Sequence, residues 1–417
     1  MEGSTPSTPS ATPHRLDATG AGGHAEADLL RERGPAASVL LPGGVPAVAV
    51  TRHEELRNFL AHPDVAKDPR HFAALQQGAV PDDWPLTVFA TVSGMVTADG
   101  TDHRRLRGLV TRAFTARRVE ALRPRVEQLT ADLLDRLPEL ADPDGTVDLR
   151  THFAYPLPME VIGELLGVDG ELRDTLHRCS QTIVSTCATP EETRAAHQET
   201  AATLERVVAA RRATPGDDLT SALLAAQAED GDRLTAGELV GTLLLLIVAG
   251  HETTLNLLTN AVRALCSHPA QLALVRAGRA SWADVVEETL RHDSPVGHFP
   301  FRYPTRDLTI GDTLVPRGTA VLASYTSAGR DQRAYGPDAA RFDVTRRPEH
   351  RHLSFGHGPH HCLGAPLARM EATIALRALF TRHPGLTLAV PDAELPRHRS
   401  FVGNSTDILP VRLGTAR

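Results

Sequence analysis

The stretch Phe355-Gly356-His357-Gly358-Pro359-His360-His361-Cys362-Leu363-Gly364 restricts the possible folds more than any other part of the chain. Its alternating glycines let the backbone turn tightly and pass close to something flat, because they carry no side chain to obstruct it. Ala365-Pro366-Leu367-Ala368-Arg369-Met370-Glu371-Ala372 follows and reads as the first turns of a helix with proline near its start. Cys362 therefore stands at a helix N-terminus, where unpaired N–H groups and the positive dipole end favour a thiolate. A single thiolate so placed is either a nucleophile or one axial ligand to a metal. Zinc is disfavoured because adjacent His360 and His361 do not converge on one tetrahedron and no second ligand pair stands at finger-like spacing. An iron–sulfur cluster needs four thiolates, and Cys179, Cys187 and Cys266 are scattered. A buried cysteine in a glycine-rich turn is the plain structural alternative.

With 417 residues, 41% of them hydrophobic, the chain can bury a large core. Only 4% are aromatic, so aliphatic side chains and alanine must fill most of it. Of the 44 basic residues all but Lys67 are arginine, which reads as a coding bias. The net charge of −7 argues against nucleic-acid binding. Four scattered cysteines make no disulfide framework, so a reducing cytoplasm is expected. No basic start followed by an apolar stretch marks a signal peptide. The apolar run Leu243 to Gly250 falls far short of the roughly 20 residues that span a bilayer, so no membrane association is expected.

Residues 1–25 are rich in Ser, Thr, Pro, Ala and Gly and are expected to be a disordered tail, with one domain over 26–417. Val45 to Val50 reads as a strand, and Arg52 to Ala61 as an amphipathic helix with Leu56, Phe59 and Leu60 inward. From Phe72 to Ala98 no pattern holds, and a loop of that length in a compact protein is usually functional. Thr101 to Thr115 is helical and basic, with His103 and Arg107 four apart on one face. Ala116 to Leu140 reads as a continuing helix and Pro158 to Gly167 as another, while 170–213 divides into two helices near Thr189-Pro190. Thr235 and Glu238 form a capping box that opens the longest helix, stopped by His268-Pro269 after roughly 45–50 Å. In its middle an apolar run gives way abruptly to Glu252, Thr253 and Thr254. Ser281, with Asp284 three residues on, caps a shorter helix carrying Glu288 and Arg291.

The string Phe-Gly-x-Gly-x-His-x-Cys-x-Gly resembles the haem-binding loop of the cytochrome P-450 family, the haem-thiolate monooxygenases. Ala249-Gly250-His251-Glu252-Thr253 is similar to that family's distal oxygen-binding stretch. Glu288-x-x-Arg291, with 328–331 and 341–343, resembles its structural ion-pair network. The resemblance covers roughly residues 40 to 415, with two mild departures, His361 before the cysteine and the short turn Ile310-Gly311-Asp312-Thr313. It implies a mainly α single-domain fold with a small β region, the haem lying between the long helix and the Cys-loop helix. It implies heme b (iron protoporphyrin IX) with Cys362 as proximal iron ligand and Phe355, Gly356 and Gly364 shaping the loop around it. His103, Arg107, Arg302 and His360 would hold the propionates. Ala249 and Gly250 would leave room for bound oxygen, and Glu252 and Thr253 would be the catalytic acid–alcohol pair. Phe89, Met95, Val96, Ile247, Val296, His298, Phe299, Phe401 and Val402 would line the substrate pocket, with the pair of helices over 170–213 as its roof.

The implied reaction is insertion of one atom of O₂ into a bulky, mostly apolar molecule: a macrolide or related polyketide, a steroid or a terpenoid. With no flavin or iron–sulfur domain appended, electrons would come from a ferredoxin (2Fe-2S or 3Fe-4S) and an NAD(P)H-dependent ferredoxin reductase. Eight arginines between His103 and Arg125 with one acid, Glu120, suggest where an acidic ferredoxin docks. A monomer is expected. The rivals are a peroxide-driven peroxygenase on the same scaffold, a non-catalytic haem sensor, and a zinc-binding interaction protein.

Overall fold

In the computed structural model, which describes residues 12–226 and 233–414, the long helix runs from Ala236 to Ser267, capped at Thr235 by the reciprocal bonds with Glu238. By length and composition alone it is apolar enough to cross a membrane, although its longest unbroken apolar run is short. Here it threads the interior, packed on the helices Pro156–Leu166, Pro190–Ala213, Trp282–His292 and Ala365–Arg382. Its polar C-terminal half is buried and partnered inside the protein: Asn260 Nδ2 donates to the carbonyls of Asp293 and Asn404 at 3.1 and 2.8 Å, and Arg263 pairs with Asp293.

The largest sheet orders its strands His14–Arg15, Ala36–Leu40, Pro46–Val50, Ala320–Ser324, His298–Pro304 and Val65–Ala66. Thr387–Leu388, Pro410–Arg412 and Thr146–Asp148 form a second sheet, and Leu308–Ile310 pairs with Thr313–Val315. The expected strand near 45–50 and the helix His53–Ala61, with Leu56, Phe59 and Leu60 buried, are present.

Three expectations need correction. The N-terminal tail does not lack structure to residue 25. His14–Arg15 pairs with Val39 and Leu40, and a helix starts at Gly23, because Glu26 accepts from His14 Nε2 and Asp17 N at 2.8 and 3.2 Å; residues 1–11 lie outside the described residues. The helix expected over 116–140 is broken into Ala116–Ala121, Arg123–Arg136 and a 3₁₀ turn, since Pro124 and Pro138 have no N–H to continue it. The patternless stretch 72–98 holds two short helices, Ala73–Gln76 and Thr87–Thr91. Trp84 anchors it, buried against Phe72 and Phe301 with its Nε1 donating to Pro42 O at 2.8 Å.

The helix Trp282–His292 carries the ion pair that organises the approach to the Cys loop. Arg291 gives two 2.7 Å bonds to Glu288 and spends its other donors on the carbonyls of Gly329, Ala339 and Arg341 at 2.7, 2.7 and 2.9 Å. A Cβ on Gly329 would fall 1.9 Å from Arg291 O, so only glycine allows this approach. Gly329→Ala is expected to destabilise the protein by about 3 kcal/mol. Gly108→Ala, in a helix with open space around it, should be neutral or slightly stabilising. Denaturant midpoints of the two variants check the contrast.

Candidate functional site

Cys362 is held by its own loop. Its N–H donates to Phe355 O at 2.8 Å, and Gly356 and Gly358 sit at φ +72° and +73°, conformations that favour glycine. A Cβ on Gly358 would stand 2.8 Å from Leu60 O, so this glycine also lets the loop pack on the helix His53–Ala61. The helix Ala365–Arg382 begins just past the cysteine, with Pro366 in its first turn. Burial pushes the Cys362 thiol's pKa up, while the N–H groups of Gly364 and Ala365 and the charges of Arg107 and Arg369 pull it down. The balance of these effects is upward. A metal cation bound at the sulfur would favour the thiolate.

The sulfur faces a cavity. One wall is a stripe of the long helix, Leu245, Leu246, Ala249, Gly250, Thr253, Thr254 and Leu257, at the spacing of a single helical face. Met95, Val96, Val296 and Phe299 add apolar wall, and Phe355, Gly356, Cys362 and Gly364 line the loop side. Thr253 Oγ1 donates to Ala249 O one turn back at 2.7 Å. Gly250 also serves packing, because a Cβ there would meet Ile162 at 3.1 Å.

His103, Arg107, Arg302 and His360 share part of this cavity wall with Lys67. The His103 and His360 rings lie 4.1 Å apart. Burial, only partly opposed by the Asp99 carboxylate 3.8 Å away, lowers the His360 pKa to about 4, and burial and Arg107 lower that of His103. Both rings are therefore neutral near pH 7. Two buried basic atoms there, His103 Nε2 and Arg302 Nη1, have no hydrogen-bond partner among the described residues. Buried donors left unpaired are costly, and carboxylates entering the cavity would complete them.

Several expected residues lie elsewhere. Glu252 is buried and absent from the cavity lining, with Oε1 3.4 Å from Arg150 Nη2, because it lies on the side of Thr253 away from Thr254, past the edge of the lining stripe. Ile247 is likewise on another face, in the helical core. His298 alternates away from Phe299 along its strand and bonds Ser324 Oγ at 2.8 Å, its ring lowered to about 4 by burial. Phe89, Phe401 and Val402 pack with the sheet side of the core instead. The Phe401 and Val402 carbonyls accept from His298 N and Gly297 N at 3.0 and 2.8 Å. Sequence reasoning missed Tyr325, Glu371 and Lys67 in the wall; Lys67 was visible only as the sole lysine.

His177, His251 and Glu252 bring donor atoms within 4.8 Å of one another. The Arg150 guanidinium beside them already balances Glu252 and disfavours a further cation, so this is a buried polar network with His177 Nδ1 3.1 Å from His251 Nε2.

A lone cysteine sulfur and a long apolar helix face lining one cavity, with unsatisfied basic groups in its wall, suit a flat, iron-bearing dicarboxylate and define a haem-thiolate protein. The comparisons agree. The family model described as Cytochrome P450 matches residues 70–277 and 283–385. The 2-hydroxy-5-methyl-1-naphthoate 7-hydroxylase of Streptomyces carzinostaticus is 40% identical over 96% of this chain and 97% of that protein. The 6-deoxyerythronolide B hydroxylase of Saccharopolyspora erythraea is 40% identical over 92% and 94%. The testerone-bound CYP154C4 from Streptomyces sp. ATCC 11861 superposes with a TM-score of 0.93 at 46% identity, covering 97% of this chain and 99% of that one. The chain belongs to the cytochrome P450 family. It is a monooxygenase of that family, and its cofactor is protoporphyrin IX haem.

Glu252→Ala would leave Arg150 without its carboxylate and should cost about 3 kcal/mol of stability. Thr253→Ala should cost about 1 kcal/mol or less. Urea unfolding of the two variants tests whether Glu252 acts through the fold.

Proposed function

We propose that this monooxygenase hydroxylates a bulky, mostly apolar ring system, with Cys362 Sγ as the thiolate ligand of the haem iron. His103, Arg107, Arg302 and His360 hold the propionates in this reading. The observation that carries it is that Cys362, these four basic groups and Thr253 all line one cavity. When bound, the haem supplies O₂ activation and insertion of one oxygen atom into the substrate. The thiol gives up its proton on ligation, and the Gly364 and Ala365 N–H groups with Arg107 and Arg369 stabilise the charge. Thr253 Oγ1 has its proton engaged by Ala249 O, so its lone pairs can accept a bond from a protonated group or water in the cavity. Met95, Val96, Leu245, Leu246, Val296 and Phe299 exclude bulk water and favour apolar ligands. The relatives' names point to a naphthoate, a deoxyerythronolide and testerone, which supports a polyketide- or steroid-like substrate.

The reduced protein under carbon monoxide should show the strongly red-shifted Soret band of thiolate ligation, and Cys362→His should move it to the globin position. A globin-like band in the unmodified protein would overturn the assignment. Thr253→Ala should bind haem and substrate and consume NADH at a similar rate, but release hydrogen peroxide in place of product. Unchanged product per NADH would show that the hydroxyl does not manage protons.

Electrons arrive, on this reading, from an NAD(P)H-dependent reductase through a ferredoxin. Within 104–125, Arg105 pairs with Glu238, Arg118 with Asp217, Arg123 with Glu120 and Arg125 with Glu164, so the net local charge is smaller than the sequence suggests. Arg104, Arg112 and Arg117 are exposed. Reversing Arg104 and Arg112 to Glu together should slow electron transfer several-fold and flatten its decline with salt, since screening shortens to about 8 Å at physiological ionic strength. Stopped-flow reduction across a salt series measures both.

A further inference from the structure

We infer that the N-terminal turn over residues 16–22 is a strap that fastens the pocket's roof, with the buried hydroxyl of Thr186 as the joint. The roof then opens to a bulky ligand when this joint lets go. The inference rests on the reading above that a bulky molecule enters the cavity beside Cys362.

The roof is the helix pair Gly170–Val184 and Pro190–Ala213. Ile183 and Ala196, one from each, pack with Val248 of the long helix, next to the cavity-lining Ala249. Thr186 lies in the loop between the two helices and is 1% exposed. Its Oγ1 donates to Ala18 O at 2.6 Å and accepts from Phe401 N at 3.3 Å. Two residues earlier, Val184 O accepts from Ser400 Oγ at 3.2 Å. One hydroxyl thus joins the N-terminal turn, the roof loop and the backbone at 400–403. That backbone is bonded in turn to the pocket wall. Val402 O and Phe401 O accept from Gly297 N and His298 N, between the lining residues Val296 and Phe299.

The turn is anchored at both ends. Leu16 N donates to Leu40 O at 2.9 Å directly after the strand His14–Arg15, and Ser327 Oγ holds Ala27 O of the helix Gly23–Glu32 at 3.1 Å. Between these anchors Asp17 accepts from Thr19 N and Ala21 N at 2.9 and 3.1 Å. Gly20 has φ +65°, and a Cβ there would fall 2.2 Å from Ser400 O, so the turn presses on the same backbone that Thr186 bonds. The roof loop has no such frame: residues 185–189 form neither helix nor strand, and Ser185 Oγ bonds only locally, accepting from Cys187 N and Ala188 N at 3.2 Å. Loss of the Thr186 hydroxyl leaves Ala18 O and Phe401 N unpaired in the closed roof, whereas water reaches both once the roof lifts. The penalty falls on the closed state, with or without a ligand inside, so entry and release quicken together.

The test is stopped-flow binding of a bulky azole and of imidazole to the holoenzyme, followed by the Soret shift, for wild type, Thr186→Val, Thr186→Ser and Gly20→Ala. Thr186→Val should raise the association and dissociation rates of the azole about fivefold each and leave its Kd within about twofold, as loss of one buried bond implies. Gly20→Ala should move both rates the same way, and Thr186→Ser, which keeps the hydroxyl, should stay within about twofold of wild type. Imidazole is small enough to need no opening, and its rates should not change. Wild-type azole rates in Thr186→Val overturn the inference, as does an equal acceleration of imidazole, which would place the effect at the iron. If Thr186→Val yields no holoenzyme, hydrogen exchange of the wild type decides. Peptides covering 16–22 and 184–188 should exchange at one shared rate that the azole slows in both, and separate rates overturn the inference. A wild type without the red-shifted carbon monoxide band would instead sink the thiolate assignment while the exchange measurement still judges the strap, so the two failures are distinguishable.

Discussion

Arg291 is buried to 2% exposure with its guanidinium saturated by Glu288 and three backbone carbonyls. A buried ion pair recovers its desolvation cost only when the remaining donors and acceptors are also met. Here Asp343 N gives Glu288 a further bond at 2.7 Å, and Arg346 approaches the same carboxylate at 3.6 Å. The segments holding Gly329, Ala339 and Arg341 are therefore tied to one helix. Beside it, Glu287 binds Arg369 and His352; burial raises its pKa, but those bonds outweigh it and bring the carboxyl to about 2. Arg369 in turn lies over the Phe355 ring at 4.5 Å. Through these contacts one helix positions both flanks of the Cys362 loop.

The cavity concentrates groups whose preferred states differ from those in water. Burial holds His103 and His360 neutral, raises the Cys362 thiol and disfavours the Lys67 ammonium. Such shifts are typical of a site shaped around a charged guest, because each cost is recovered when the guest supplies the opposite charge. A cation at the sulfur and carboxylates at the basic groups would do so at once. The same cavity is apolar along the long helix, which leaves substrate selection to shape and water exclusion.

The long helix changes character at Gly250. Ahead of it, apolar side chains face cavity and core; beyond it, Glu252, Asn256, Asn260 and Arg263 are buried among polar partners from distant segments. Arg150 reaches Asn256, Thr259 and Ser405 as well as Glu252, so the acid beside Thr253 is part of an internal lattice. This explains why two adjacent residues, similar in sequence context, take separate roles.

Much was legible in the chain because it depends on local chemistry. The capping boxes at Thr235 and Ser281 began helices where expected, and the glycines around Cys362 marked a loop with positive φ. The loop motif and the order of the family's motifs pointed to the haem-thiolate class that the comparisons establish. Side-chain direction was not legible. Glu252, Ile247 and His298 sit within one residue of cavity-lining positions; the first two fall just past the edges of the helical stripe, and one step along a strand turns a side chain to the other face. Phe401 and Val402 were drawn into the sheet core by strand contacts that no local pattern announces. The pairing of the arginines between 104 and 125 depended on acids up to 133 positions away, as with Arg105 and Glu238. Lys67 looked like a quirk of composition until strand register set it beside Arg302, because only folding brings residues 235 positions apart into one electrostatic field.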